Sequence, residues 1–149
     1  MSFDALRQEI AQAVEAELER VGQEIVRDIV LRIEQEGLEM DGTLKKSVTY
    51  RVWREAERYL LEVGAYARHA PFVELGTRPH WAPIEPLRYW VRKKLAVRPP
   101  ALEGVARAVQ RAIARKGTRP HPFAGPVFEL WRAKVADEIA AGLARRLRP

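Results

Sequence analysis

The chain has 149 residues, 47% of them apolar and 31% charged. That is enough apolar material for one sizeable core, and too mixed in sign for a disordered polyelectrolyte. There is no cysteine, so disulfides, thiolate nucleophiles and cysteine-ligated zinc are excluded together. No apolar run reaches the roughly 18 residues a membrane helix needs. Ser2, Phe3 and Asp4 lead into a polar amphipathic pattern without the basic start and apolar centre of a secretory leader. The expectation is a protein made in a cytoplasm and kept there until it assembles, with no membrane partner.

The net charge of +6 is unevenly spread. Residues 1–36 hold nine acids and four bases, a net of −5, and residues 37–85 balance at seven of each. Residues 86–149 hold fifteen bases and four acids, a net of +11. Opposite ends of opposite sign can pair within a subunit or between subunits, and the basic end suits DNA.

In chain order, Phe3, Leu6, Ile10, Val14, Leu18, Val21, Ile25, Ile29 and Ile33 recur at steps of three or four. This stripe predicts an amphipathic helix over 1–36, capped by Ser2 or Asp4 and stopped at Gly37. So long a helix exceeds what a small domain can cover, so part of the stripe is expected to face a partner. The period then changes to two. Val48, Tyr50 and Val52 alternate with Thr49, Arg51 and Trp53, and Tyr59 to Val63 form a second short run before Gly64. An antiparallel hairpin within 43–64 is predicted, with the helix packed across it.

Residues 66–86 carry Pro71, Pro79, Pro83 and Pro86 and read as a proline-rich loop. A short helix follows Pro86, and another runs from Leu102 to Ile113. A second proline-rich loop covers 117–126, and a final helix occupies 127–148. The fold class is α+β in a single domain: a long N-terminal helix on a small antiparallel β-sheet, with additional C-terminal helices.

Gly76-Thr77-Arg78-Pro79-His80 recurs unchanged as Gly117-Thr118-Arg119-Pro120-His121. The flanks do not match, so the pattern is two similar rigid turns and not a solenoid repeat. With Phe72, Glu74, Trp81, Pro122 and Phe123, these residues form the candidate protein-interface loops, because rigid loops carrying aromatics suit protein contacts. Of the four tryptophans, Trp90 and Trp131 are assigned to the core, Trp53 to the less buried face of its strand.

His69, His80 and His121 are the components of a metal-dependent hydrolase reading, but their spacing lacks the close i, i+4 pairing of helical zinc sites. No glycine-rich phosphate cradle and no nucleophile elbow is present. The expectation is a non-enzymatic protein with no metal and no cofactor. Arg107, Arg111 and Arg115 recur every fourth residue and, with Arg145, Arg146 and Arg148, form a candidate basic face. They support the principal rival reading, a basic nucleic-acid-binding module.

The run from Tyr66 through Ala67, Val73 and Glu74 to Gly76-Thr77 resembles the signature of a bacteriophage tail-component family, similar to the tail-completion (head-tail joining) proteins of lambda-like siphophages. Thr118-Arg119-Pro120-His121-Pro122-Phe123, with Pro126 and Glu129, resembles that family's closing motif. The order of elements agrees as well. Trp81, and the helical, basic stretch from Leu87 to Lys116, depart from the pattern. The resemblance implies a structural virion protein at the neck or tail, present in the host cytoplasm during assembly. It implies contacts with other neck and tail proteins and a homo-oligomeric ring, six subunits matching tail symmetry, with phage DNA in the lumen.

Overall fold

The computed structural model describes residues 1–148. Helix α1 spans Phe3–Gln35, begins where Ser2 Oγ accepts from Ala5 N at 3.1 Å, and ends in a Schellman turn. Gly37 takes φ 62 there, Leu38 N donates to Ile33 O and Gly37 N to Glu34 O, each at 3.1 Å. Only the later part of the apolar stripe is covered. Val21, Ile25, Ile29 and Ile33 are buried, whereas none of residues 1–10 is.

After the short helix α2 (Thr43–Lys46), strands β1 (Val48–Glu55) and β2 (Arg58–Ala65) pair antiparallel, from Val48 opposite Ala65 to Glu55 opposite Arg58. The strands run further than their apolar alternation, leaving a two-residue turn, Ala56-Glu57, with Ala56 at φ 52. Tyr50, Val52, Leu61 and Val63 share the face that meets α1. The approach is close enough that a Cβ on Gly22 would sit 2.6 Å from Tyr50 Cδ2 and 2.9 Å from Leu61 Cδ1. On the opposite face the Arg51 guanidinium lies over the Trp53 ring at 4.6 Å, which half-buries an otherwise wet tryptophan.

Helix α3 (Ala70–Leu75) lies inside the stretch expected to be loop. Pro71 falls in its first turn, where a missing N–H costs nothing, so the proline that suggested a loop is compatible with a helix start. Helices α4 (Ile84–Lys94) and α5 (Ala101–Lys116) pack on each other as a helical hairpin. Trp90 within it is half-buried.

Helix α6 (Gly125–Arg146) returns antiparallel along α1. Trp131 Nε1 donates to Asp28 Oδ2 at 2.9 Å, Arg20 Nη2 to Glu138 O at 3.4 Å and Arg146 Nε to Glu17 Oε1 at 2.6 Å. The core joins α1, the hairpin and α6 through Ile29, Ile33, Leu44, Val48, Phe123, Val127 and Trp131.

Candidate functional site: the paired loops

The two identical pentapeptides meet. Thr77 N donates to Thr118 O at 3.1 Å and Thr118 N to Thr77 O at 3.2 Å, an isolated antiparallel bridge. The two hydroxyls lie 3.0 Å apart. His121 N donates to Val73 O at 2.8 Å and His80 N to Ile113 O at 3.4 Å, so each loop closes on the helix preceding the other. The arrangement is a local two-fold, in which identical sequences satisfy each other's backbone.

Glycine is required at the head of both copies. Gly76 has φ 70, ψ −175 and Gly117 φ 71, ψ −160, a region essentially restricted to glycine. A Cβ on Gly76 would lie 2.5 Å from Thr118 O, and one on Gly117 would overlap Thr77 O. The recurrence was visible in the sequence. That the copies touch was not, because no local pattern distinguishes two separate turns from two turns that pair.

Glu74 binds the loops to α6. Its carboxylate accepts from Phe123 N at 2.8 Å, Ala124 N at 3.0 Å and Gly125 N at 2.9 Å. Helix α6 starts after Ala124, which has no capping side chain, so a carboxylate from α3 supplies the cap and meets the positive end of the helix dipole. Tyr66, at the start of the same segment, donates to Glu62 Oε1 at 2.6 Å. That hydrogen bond, with Arg51 alongside, holds the Glu62 carboxyl below its ordinary range, and the Glu62 carboxylate in turn raises the Tyr66 hydroxyl.

The remaining candidate residues divide by exposure. Phe123, grouped above with the interface loops, is 1% exposed and fills the core between α1 and α6, so it presents no surface. Trp81 is 65% exposed; Phe72 also faces solvent, as do Arg78, Pro79, His80, Arg119, Pro120, His121 and Pro122. Leu75, 74% exposed, and Leu130 of α6 are further exposed apolar side chains. Periodicity alone does not reveal them, since Leu75 sits in a helix of only six residues.

The three histidines do not converge on a carboxylate set. Among the described residues no group of three His, Cys, Asp or Glu side chains is placed to hold a metal ion. His80 Nδ1 instead lies 2.9 Å from Arg78 O, within its own loop.

On the candidate basic face all six arginines are exposed; Arg107 is paired with Glu103 at 2.9 Å and Arg146 with Glu17, whereas Arg111, Arg115, Arg145 and Arg148 have no acidic partner among the described residues. Arg88 also reaches Glu103, at 2.6 Å, and contacts Glu85. Hydrogen bonds from Arg88 and then Arg107 lower the Glu103 carboxyl to about 2.

Glu17 is the one buried acid of α1, 2% exposed. Burial pushes its carboxyl up, but hydrogen bonds from Arg146 and Arg20 outweigh that and hold it below its ordinary range. Gly142 of α6 leaves room for it, since a Cβ there would overlap the Glu17 carboxylate.

Among the described residues no helix is long and apolar enough to cross a membrane. The profile of the family described as "Bacteriophage HK97-gp10, putative tail-component" matches residues 2–76, from the N-cap of α1 to the glycine of the first loop. No curated protein and no solved structure matches the chain.

Proposed function

Because the chain belongs to the HK97-gp10-like family of bacteriophage tail components, we propose that it is a structural, non-catalytic protein of the virion that completes the tail at the neck and joins it to the head. In this reading it acts as a ring of identical subunits, six to match tail symmetry, and its partners are other neck and tail proteins. The observation that carries the reading is the platform built on the paired loops. Gly76, Gly117 and the Thr77–Thr118 bridge fix the backbone, Glu74 ties it to the start of α6, and Phe72, Leu75 and Trp81, all within five residues of Thr77 along the chain, are exposed. Large apolar side chains held out by rigid backbone lose little entropy on docking, which favours a stable protein contact.

The test is Trp81→Ala combined with Phe72→Ala. Both side chains are exposed, so thermal stability should stay within about 0.5 kcal/mol of the parent. Incorporation into tails, scored by complementation of a phage lacking the protein and by electron microscopy of the particles, should be lost. Full incorporation of the double variant would overturn the assignment of this surface.

A second reading, DNA contact in the lumen, is favoured by one feature of the α4–α5 hairpin. Both of its acids, Glu85 and Glu103, are held by arginines, while Arg111 and Arg115 have no acidic partner among the described residues. It requires duplex DNA binding that weakens steeply with salt. No binding at low salt would end it.

A further inference from the structure

The recurring pentapeptide contains one residue type whose presence in both copies the fold does not explain. Gly76 and Gly117 set the backbone angles, Thr77 and Thr118 form the bridge, and His80 N and His121 N close each loop on a helix. Pro79 and Pro120 fix their own φ and hold the residue before each of them extended. Those preceding residues are Arg78 and Arg119. Both are exposed, and among the described residues neither guanidinium has a hydrogen-bond, ion-pair or aromatic partner.

The bridge defines where the two arginines stand. With Thr77 opposite Thr118, Arg78 falls opposite Gly117 and Arg119 opposite Gly76, so they are diagonal neighbours about 7–8 Å apart at Cα. Alternation along each extended segment turns both to the face away from the Thr77 and Thr118 hydroxyls. No carboxylate of the loops offsets them. Glu74 is the only acid in residues 66–83 and 117–126, and three backbone N–H groups occupy it. The next acids along the chain, Glu62, Glu85, Glu103 and Glu129, are paired with Arg51, Arg88, Arg107 and Arg132. The paired loops thus bring two like charges together and leave the balancing anions to a partner.

A phosphodiester and a protein carboxylate both satisfy a guanidinium. The surroundings favour the protein. Phe72, Leu75 and Trp81 are exposed within six residues of Arg78, as are Pro79, Pro120 and Pro122 in the loops. Phosphate would leave that apolar surface in water, whereas a protein surface covers it while its carboxylates reach the arginines. We propose that Arg78 and Arg119 form a clamp for carboxylates, which docks an acidic segment of another virion protein on the paired loops. This inference rests on the platform reading given above and adds the chemistry of the partner.

The test is Arg78→Glu combined with Arg119→Glu, carried by the phage in place of the parent gene. It is compared with Arg78→Lys, Arg119→Lys and with the Trp81→Ala, Phe72→Ala pair. Neither arginine has an internal partner, so Tm should stay at the parent value in both arginine variants. Charge reversal should lower incorporation into tails at least about tenfold, whereas the lysine pair should stay within about threefold of the parent. Separately, a benzophenone-bearing phenylalanine in place of Trp81 keeps an aromatic there and marks by photocross-linking what lies over the loops in finished tails. The expected product joins it to an Asp- and Glu-containing segment of another virion protein.

Normal incorporation of the charge-reversed protein, with the Trp81→Ala, Phe72→Ala pair still excluded, overturns the clamp and leaves the platform standing. Normal incorporation of both overturns both. A cross-link to a second copy of this chain, to DNA or to a segment without acids overturns the proposal, as does no cross-link in finished tails. A fall in Tm on charge reversal would make the arginines structural and overturn it as well.

Discussion

Glu74 lies within the tail-component signature, and its hydrogen bonds give it a role that can be measured. In Glu74→Ala, three backbone N–H groups lose a charged acceptor they meet at 2.8, 3.0 and 2.9 Å. A hydrogen bond to a charged group contributes about 1.5–3 kcal/mol. The three share one carboxylate, and the site is half-buried, so water recovers part of the loss. The expected cost is about 2–4 kcal/mol, including the lost interaction with the α6 dipole. For a chain of this size that lowers Tm by about 5–15 °C. Urea unfolding followed by far-ultraviolet circular dichroism measures the change. Hydrogen exchange at the amides of Phe123, Ala124 and Gly125 localises it, because those protons should exchange faster before global stability is exceeded. Glu74→Gln keeps one oxygen but turns an amide donor toward N–H groups, so it should recover at most about half of the loss. A Glu74→Ala variant within about 0.5 kcal/mol of the parent would show that the cap contributes nothing net and refute the reasoning.

Three further outcomes follow from the backbone and the ion pairs. Gly117→Ala should cost about 3 kcal/mol or more in urea unfolding, because the new Cβ overlaps Thr77 O, whereas Gly37→Ala, at a similar φ of 62 in open space, should cost only about 1 kcal/mol. Equal costs at the two positions would remove the steric argument for the paired loops. Ala56→Gly should stabilise the protein by about 0.5–1 kcal/mol, since relief of the left-handed strain at φ 52 exceeds the added unfolded-state entropy; a lower Tm would count against that turn geometry. Glu17, Glu62 and Glu103 all have folded pKa values below their ordinary 4.5. Their contribution is therefore present above about pH 4.5 and is lost as pH falls, through about 2 for Glu103, because the unfolded state then binds the extra protons. The urea midpoint should fall on acidification through that window, and less steeply in Glu17→Gln, and a midpoint flat from pH 5 to 2.5 would contradict the ion-pair assignment.

What the sequence determined by itself is what periodicity and local chemistry encode. The stripe from Phe3 to Ile33 requires a helix whatever it packs on, and Ser2 and Gly37 mark its ends by caps formed within a few residues. Alternation through Val48, Tyr50 and Val52 likewise requires a strand with one buried face. The signature from Tyr66 to Thr77 indicated the family for the same reason, as a contiguous run of residues. Helix α3 is not legible in the sequence, because Pro71 reads as a breaker by composition and as a helix start only by position.

The tertiary structure alone decided which distant groups complete one another. Glu74 caps a helix about fifty residues away, Gln110 reaches Ala82 O at 2.7 Å, and Glu17 is buried because Gly142 makes room and Arg146 brings charge. Gly22 is similar: within α1 it is merely a poor helix former, and only the crossing of the Tyr50–Leu61 face shows why a side chain is excluded. Such partners leave no local periodicity, since a hydrogen bond or a close approach depends on separation in space and not along the chain. The recurring pentapeptide lies between the two cases: its glycines announced unusual backbone, but the Thr77–Thr118 bridge exists only once α3 and α5 are brought side by side.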